Sequence, residues 1–450
     1  MKKSWKRNLI AAAVVSTTLG LAGCNSNPTT VAASSSVSVN DVLVAHAKMA
    51  HANYADTLKD AKALQRAVNA FVANPTPATQ DAAKQAWLQS RESYGPTEVF
   101  RFRGGPIDDD ASTAEPDDGP EGQINAWPLA EGLIDYVASG QKYQMMGDDM
   151  TDTNVQQYNM DNTNLISDRS FKISKQSLAD ANEMGDDEAN VTTGYHAIEF
   201  LLWGQDLNVV DSMKRDASGG LRSHTDYITG AGCTNGNCDR RGDFLKAATD
   251  LLVDDIAAIT AEWDPRSGAH YQKFVNSGVE GINKIMTGMG QLSYGELASE
   301  RIKIALMSDS QEDEHSCFSD NTHRDIVLNA QGVVNAYHNS YNGKQYGPSV
   351  HDLLTSIDSD LANRLNASLE ATMASTDVVD QAAKSGKPFD NQIQGTAADK
   401  ANVQNVVAGL VAQTNDIAAA IEVLGHDAEV KDEEVTYASD KALLGNKEAE

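Results

Sequence analysis

Amphipathic helical periodicity in the second half of the chain constrains the fold more than any other feature. Apolar residues recur there at the three- and four-residue spacing of a helix, over residues 243–263, 271–289, 294–307, 325–341, 350–373 and 399–424. No stretch shows the convincing alternation of apolar and polar residues that indicates a half-buried strand. The pattern therefore predicts an all-α protein.

The first half shows the same helical periodicity. A helix is predicted from Asn40, a good N-cap residue, to about residue 72, and His51 lies on its apolar stripe. A His in that position is either a hydrogen-bonded core residue or a ligand. Thr76 and Pro77 then predict the N-cap and first position of a second helix.

The second predicted helix carries an unusual polar and aromatic stripe. Trp87, Arg91, Tyr94 and Glu98 follow one another at spacings of four, three and four. They share one face only if the helix survives the Gly-Pro pair before Glu98, which should at least kink it. The stripe is compatible with Arg91 paired to a carboxylate beneath packed rings, or with a binding role.

Residues 194–206 combine a potential ligand pair with a strongly apolar helical segment. His196 and Glu199 are three positions apart, so a helix would present both side chains on one face. The apolar residues that follow, ending in Trp203, indicate a buried helix, where both polar groups need a partner. The pair is either a hydrogen bond that fixes helix packing or part of a metal site.

A second cluster of candidate ligands lies at residues 311–325. It places Asp313, Glu314, His315 and Cys317 in one short window. Carboxylate and imidazole together suit iron, manganese or zinc better than calcium. The competing interpretation is a solvated, charged loop.

The N terminus resembles a bacterial lipoprotein signal. Four basic residues precede a short apolar run, and small residues lead to Cys24, the expected lipidation site. Asn25 after the cysteine favours the outer membrane. The resemblance predicts a lipid-anchored, periplasmic protein of the bacterial cell envelope.

The chain is strongly acidic. Its formal net charge is −28, and removal of the four basic residues of the signal lowers it to −32. This balance argues against nucleic acid as a partner and against adhesion to anionic lipid heads. It either serves solubility or raises the local concentration of cations.

Cysteine spacing and composition suggest the internal organisation. Cys233 and Cys238 bracket a turn sequence and predict a small disulfide loop, which leaves Cys317 as an inert buried thiol or a thiol near the functional site. The predicted parts are a signal peptide at 1–24, a tether at 25–39, a helical bundle at 40–215, a linker at 216–240, a second bundle at 241–430 and a charged tail at 431–450.

Residues 194–199 fit the Gly-x-His-x-x-Glu signature of the imelysin family, and the chain resembles the iron-regulated protein A branch of that family. Further segments of that branch resemble residues 94–103, 125–135 and 311–325. The similarity thus covers most of the mature chain and is more specific than the His-x-x-Glu spacing alone.

This resemblance implies two antiparallel helical bundles of the four-helix type and a role in iron uptake. His196 and Glu199 would be metal-site residues near the bundle interface, and Glu98 resembles a family carboxylate that could join them. Extending the site to Asp313, Glu314 and His315 is our own hypothesis. The site lining would then come from Trp87, Arg91, Tyr94, Trp203 and His51.

Three functions remain open from the sequence. The first is binding and hand-over of iron, as the ion or a chelate, to other envelope iron-uptake components, with zinc as the alternative metal. The second is a metal-dependent endopeptidase, since family members have been classed as metallopeptidases. However, the chain has no His-Glu-x-x-His or Gly-x-Ser-x-Gly motif, and a ligating Glu199 cannot also act freely as general base. The third is a structural or peptide-binding envelope scaffold.

Overall fold

The computed structural model describes residues 37–109, 118–137, 164–185, 187–206 and 217–424. These described residues form one compact unit. The predicted signal peptide with Cys24, nearly all of the tether and the charged tail lie outside the described residues.

The described part of the chain is almost entirely helical, as predicted. Its first half contains α1 (Val39–Ala73), α2 (Pro77–Tyr94), a 3₁₀ turn (Gly95–Phe100), α3 (Glu121–Ile124), α4 (Glu131–Ile134), α5 (Lys175–Ala181) and α6 (Gly194–Trp203).

The second half continues with further helices and one short hairpin. In chain order these are a 3₁₀ turn (His224–Tyr227), α7 (Cys238–Glu262), α8 (Ala269–Val275), α9 (Val279–Gln291), a π-helical segment (Leu292–Ile304), α10 (Ala305–Ser308), a 3₁₀ turn (Cys317–Ser319), α11 (Thr322–His338), β1 (Ser340–Tyr341), β2 (Lys344–Gln345), α12 (Val350–Ile357), α13 (Ser359–Lys384), α14 (Phe389–Ile393) and α15 (Ala397–Val423).

Local sequence signals explain where α1 and α2 begin. Thr76 caps α2 as predicted, because its hydroxyl accepts a bond from the Thr79 amide at 3.2 Å and Thr79 reciprocates at 3.0 Å. Helix α1 begins slightly earlier than predicted, since Ser38 rather than Asn40 is the N-cap.

The Gly-Pro pair after Tyr94 ends α2 and starts the 3₁₀ turn that carries Glu98. A Cβ atom at Gly95 would lie 2.6 Å from Cβ of Leu328, so glycine lets α11 approach closely. The predicted kink is therefore present as the end of α2, and it is the point where α11 packs closely against the chain.

Several features differ from the prediction. The predicted helices 271–289 and 350–373 are each divided in two, at residues 276–278 and at Asp358. The segments 271–289 and 294–307 were expected as separate helices, but α9, the π-helical segment and α10 run on without a break. Strands β1 and β2 form a two-residue antiparallel pair, because Asn342 and Gly343 adopt positive φ angles of 49° and 71°. An Asn-Gly pair of this kind makes a tight hairpin turn, although the flanking strands are too short to show alternation.

The helices pack around two clusters of buried apolar side chains, a large one and a smaller one that includes Leu297 in the π-helical segment and Leu410 in α15. Helix α1 packs against α2 and α7, α13 packs against α15, and α11 packs against α13 and the first 3₁₀ turn. One cluster of buried apolar side chains extends from Val42 in α1 to Ile421 in α15. Helix α7, which follows the predicted linker, thus contacts the first helix of the chain, and the predicted domain division stays a prediction.

Helix α15 is the one described helix that is long and apolar enough to cross a membrane by length and composition. Val403, Val407, Leu410 and Ile417 on this helix are buried. The core helix of a soluble protein meets the same criterion, so α15 is weak support for a membrane span.

Cys233 and Cys238 form a disulfide with a Cα separation of 5.9 Å. The asparagine-rich turn between them allows this approach, since Asn235, Gly236 and Asn237 all have positive φ angles. Cys317 is a free, buried thiol, and burial raises its pKa well above the usual value. A thiol in that state is protonated and unreactive.

Candidate metal centre

Helix α6 is buried along its whole length. It begins at Gly194, whose φ is +76°, and a Cβ atom at that position would lie 2.4 Å from the carbonyl oxygen of Ile124. Glycine is required there because other residues are strained at this φ and would collide with the backbone. The first residue of the predicted motif therefore fixes the helix against α3.

His196 and Glu199 meet on one face of α6, as the three-residue spacing predicts. The distance from Nδ1 of His196 to Oε2 of Glu199 is 3.0 Å, and neither side chain is exposed to solvent. The second ring nitrogen, Nε2 of His196, is buried and makes no hydrogen bond within the described residues. Buried polar atoms usually have a hydrogen-bond partner, so this nitrogen is available to a ligand.

The other oxygen of Glu199 is held by Ser319 from the second half of the chain. Both the backbone amide and the hydroxyl of Ser319 donate to Oε1, at 3.0 and 2.6 Å. Burial nevertheless raises the pKa of Glu199 to about 8, and the bonds from Ser319 only partly oppose this. At neutral pH the carboxyl group is therefore mostly protonated.

Burial also lowers the pKa of His196 well below its usual value, with His315 and Arg91 acting in the same direction. The pair is therefore most stable as a neutral imidazole beside a neutral carboxyl group. A cation bound at this position would replace the proton, because imidazole and carboxylate both bind metals in their deprotonated forms.

His315 lies next to His196. The centroids of the two rings are 4.6 Å apart at an interplanar angle of 74°. Nδ1 of His315 lies 2.8 Å from Oδ2 of Asp325, and a carboxylate in that position favours the tautomer that leaves Nε2 free to act as a ligand. Both imidazoles are thus oriented through Nδ1 by an acidic side chain.

Asp325 connects this pair of histidines to Arg91. Nη2 and Nε of Arg91 donate to Oδ1 of Asp325 at 2.9 and 3.3 Å, and Ser316 donates to Oδ2 at 2.5 Å. Burial alone would raise the pKa of Asp325, but Arg91 and His315 together lower it below its usual range. Asp325 is therefore ionised and keeps its charge next to the histidines.

Glu98 belongs to the same network but is paired with arginine. Asn125 donates to Oε1 at 3.0 Å, and Arg301 from the π-helical segment donates to Oε2 at 2.8 Å. Arg91 donates in turn to Asn125 at 2.5 Å, which closes a chain of hydrogen bonds from Glu98 to Asp325. Burial raises the pKa of Glu98, but Arg301 and Arg101 lower it by more.

The aromatic members of the predicted stripe surround Arg91. Its guanidinium carbon lies 5.2 Å from the ring centroid of Tyr94 and 5.0 Å from that of Tyr195. Trp87 donates to the carbonyl of Tyr195 at 2.9 Å, and its ring lies 5.4 Å from that of Trp203. These aromatic residues pack against α6 and around the guanidinium group of Arg91, and so help to hold the Arg91–Asp325 pair in position.

The remaining predicted site residues lie elsewhere. His51 is half-buried, and the charges that act on its pKa are those of Asp264 and Arg266 rather than those of the network. Glu314 is fully buried, yet the charges acting on it come from three aspartates and not from its neighbour His315. Asp313 is buried.

The sequence matches the family model of imelysin, peptidase family M75, over residues 50–417. This range includes the His196 motif, the stripe on α2 and the 311–325 segment. The chain belongs to the imelysin family.

Two solved structures resemble this imelysin-family chain. A crystal structure described as an iron-regulated protein A precursor from Parabacteroides distasonis aligns with a TM-score of 0.60 and 15% identity, covering 87% of this chain and 97% of the other. An imelysin-like protein from Psychrobacter arcticum aligns with a TM-score of 0.52 and 16% identity, covering 86% and 93%. At such identities the likeness establishes the fold alone. The sequence matches no curated protein.

Several residues of this imelysin-family site were not predicted. Ser319, Asp325 and Arg301 all contact predicted residues, and Asn125 joins Glu98 to Arg91. Asp325 and Ser319 lie in the 311–325 segment, but no residue spacing there links them to Arg91 or Glu199. Arg301 could not be assigned to the site from the sequence, because a π-helical segment places different residues on one face than an α-helix does.

The donors that fit a metal best in this arrangement are the imidazoles of His196 and His315, whose nitrogens suit iron or zinc. The unpaired Nε2 of His196 is the observation that favours such a ligand. Glu199 lies at Nδ1 on the other side of the His196 ring, and it would have to turn to become a ligand itself. The Nδ1 contacts to Glu199 and Asp325 would orient the imidazoles, as partners of metal-bound histidines commonly do.

Proposed function

We propose that this imelysin-family protein binds iron, as the ion or a chelate, at His196 and His315, with Glu199 orienting His196 through Nδ1 or turning to join the ligands, and that it takes part in bacterial iron uptake. The observation that carries the proposal is the buried Nε2 of His196, which has no hydrogen-bond partner in the described chain and lies beside a second oriented imidazole. Imidazole and carboxylate ligands together favour iron or zinc over calcium.

We further propose that the site lies where two helical bundles meet. Helices α1, α2 and α7 pack together, and α11, α13 and α15 are linked by direct packing of α13 on both others. His196 belongs to a helix that contacts α2 and α7. Its partner His315 precedes α11, so the two imidazoles come from segments far apart in the chain.

The proposed location is the bacterial cell envelope. The lipoprotein-like signal with Cys24 supports a lipid anchor and a periplasmic position, with the outer membrane favoured by Asn25. The similar structure from Parabacteroides distasonis is described as a precursor of an iron-regulated protein. Other envelope iron-uptake components would then supply or receive the metal.

Metal content tests the proposal directly. The protein lacking residues 1–24 should retain about one iron per chain after anaerobic loading, as measured by elemental analysis. His196→Ala and His315→Ala should each lose most of this iron while circular dichroism remains unchanged. His224→Ala is the matched control, since His224 is half-buried and lies outside the network.

Zinc loading of the same variants identifies the preferred metal. Retention of zinc but not iron would support the metal site and contradict the assignment of iron as its metal. Equal, negligible metal in the parent and all variants would overturn direct metal binding and leave the pair of His196 and Glu199 with a structural or peptide-binding role.

A metal-dependent endopeptidase is the second candidate, favoured by the family classification and by the pKa of Glu199 at about 8. A carboxyl group with such a pKa can exchange a proton near neutral pH. Chelator-sensitive cleavage of a peptide substrate, lost in Glu199→Ala but kept in Glu422→Ala, would favour this activity. Glu422 is exposed on α15 and serves as the control.

A further inference from the structure

We infer that the chain contains a buried site for the carboxylate group of a small organic anion, formed by Arg103, Trp263 and His270. Each of these side chains has a buried nitrogen atom that makes no hydrogen bond in the described chain, namely Nη2 of Arg103, Nε1 of Trp263 and Nε2 of His270. Arg103 is only 8% exposed and Trp263 is fully buried. Since buried polar atoms usually have a partner, these nitrogens are available to a ligand that accepts hydrogen bonds. None of the three residues belongs to the proposed iron site.

Arg103 differs from the other buried arginines of the described chain, because it forms no ion pair there. The other four pair with a carboxylate at 2.5–2.9 Å, Arg91 with Asp325, Arg222 and Arg241 with Asp135, and Arg301 with Glu98. Burial lowers the pKa of Arg103 to about 10, and Tyr54 and Asp108 oppose this only in part. A buried charge without a counter-charge is costly, so a bound anion would stabilise this arginine.

Asp108 is the carboxylate that acts on Arg103, but it is bonded to the backbone. Its Oδ2 accepts hydrogen bonds from the amides of Arg103 and Gly105, at 3.2 and 3.3 Å. These bonds stabilise the turn that follows Arg103 and leave the guanidinium group without an ion pair in the described chain.

The rest of the Arg103 guanidinium group is held by neutral groups. Nε donates to the carbonyl of Phe100 at 3.0 Å, and Nη1 lies 3.2 Å from Nε2 of His46. Nδ1 of His46 lies 3.0 Å from Oδ1 of Asn339, whose amide nitrogen donates to two backbone carbonyls. His46 must therefore donate through Nδ1 and accept from Arg103 through Nε2, which makes its ring neutral. These contacts leave Nη2 as the nitrogen that can bind an anion.

Aromatic rings surround the unpaired nitrogens. The guanidinium carbon of Arg103 lies 5.9 Å from the ring centroids of both Trp263 and Phe274, and the ring centroids of Trp263 and His270 are 4.4 Å apart. The faces of such rings attract a cation, but they do not replace the in-plane hydrogen bonds of a guanidinium group. A Cβ atom at Gly105 would lie 4.0 Å from Cε1 of His270, so glycine places no side chain against this edge of the ring. His270 is half-buried, so solvent reaches the site past this ring.

A carboxylate matches this set of donors. It carries one negative charge, which offsets that of Arg103, and its two oxygens can accept hydrogen bonds from all three nitrogens. His270 is neutral near pH 7, because burial and the charge of Arg103 lower its pKa to about 3, with Lys273 and Lys284 acting in the same direction. These positive charges favour an anion here, although the chain as a whole has a net charge of −28.

Acetate binding to the protein lacking residues 1–24 tests this inference. The indole N–H resonance of Trp263, assigned by its loss in Trp263→Phe, should shift in a saturable manner as sodium acetate is added to a low-salt buffer. Acetate should also raise the thermal midpoint of unfolding, because it binds only the folded site. Arg103→Met should weaken acetate binding by about tenfold or more, because a charge-assisted hydrogen bond is lost. Arg266→Met is the matched control, since Arg266 lies between Trp263 and His270 in the chain but is 87% exposed.

His270→Phe keeps the test valid if Arg103→Met fails to fold, and it should weaken acetate binding by about threefold or more, since one neutral donor is lost. His196→Ala should keep the full acetate response, so failure of the iron proposal would leave this inference intact. An unchanged Trp263 resonance in the parent would overturn the site, as would an undiminished response in Arg103→Met. An equal shift with sodium chloride at the same concentrations would overturn the assignment to a carboxylate.

Discussion

Single residues at the centre are tied together by charge, and Arg91 with Asp325 is the clearest case. Both side chains are buried, at 0% and 1% exposure, and their closest atoms are 2.9 Å apart. Removing one partner from such a pair leaves an uncompensated charge in a medium of low polarity. The Arg91–Asp325 pair therefore stabilises the buried hydrogen-bond network only when both charges are present, and loss of either one destabilises the fold.

Replacement of Arg91 should strongly destabilise the fold. We expect Arg91→Met to lower the free energy of unfolding by about 3–5 kcal/mol in denaturant titrations, because Asp325 loses its counter-charge. Arg364→Met is the matched control, since Arg364 pairs with Asp416 at 2.7 Å but is 58% exposed. That substitution should cost less than about 1 kcal/mol. Equal losses in the two variants would contradict this assignment.

The pH dependence of stability should carry the signature of Glu199. The folded carboxyl group holds its proton up to a pKa of about 8, whereas an unfolded glutamate releases it near about pH 4.3. Between these values the folded state binds more protons, so the free energy of unfolding falls as pH rises.

Glu199→Gln should therefore reduce the downward slope of stability between about pH 5 and pH 8, measured by urea unfolding at several pH values. The comparison with the parent is essential, because Glu121 and Asp255 also have raised pKa values, at about 7. Glu422→Gln should leave the slope unchanged. A slope in Glu199→Gln that matches the parent would rule out the raised pKa.

The sequence predicted the paired residues better than their partners. His196 and Glu199 were found because helical spacing places them on one face, and that contact is local. Asp325, Ser319 and Arg301 approach them only through tertiary packing, which leaves no periodic signal. For Glu98, a family carboxylate by resemblance, the sequence could not reveal that arginines would surround it.

Among the helices, α6 depends on the glycine at its start. Gly194→Ala should lower the free energy of unfolding by more than about 1 kcal/mol, because the methyl group meets the Ile124 carbonyl and φ is positive. It should also weaken metal retention by displacing His196. Gly230→Ala is the control, since its φ is +85° but no atom lies within 4 Å of the added carbon.

Equal destabilisation in Gly194→Ala and Gly230→Ala, measured by thermal and denaturant unfolding, would show that backbone strain alone matters and that close contact with α3 does not.

Helix boundaries show which features can be predicted from the sequence and which cannot. The cap at Thr76 was predictable from local chemistry, whereas the π-helical segment depends on packing against α11 and α15.

For the whole molecule, we expect a single cooperative unfolding transition. The apolar core extends from α1 to α15, and α7 packs on α1 across the predicted linker. Far-ultraviolet circular dichroism and tryptophan fluorescence should therefore report the same midpoint in denaturant. Two separate midpoints would instead favour independently folding bundles.

The complete burial of His196, at 1% exposure, has a consequence for the release of the proposed metal. A ligand seated there can leave only when α6 and the segment around His315 separate for a moment. The time that the metal stays bound then depends on how often these segments separate, and not on affinity alone. A protein that receives the metal would have to accelerate this separation, so the rate of opening would control the rate of delivery.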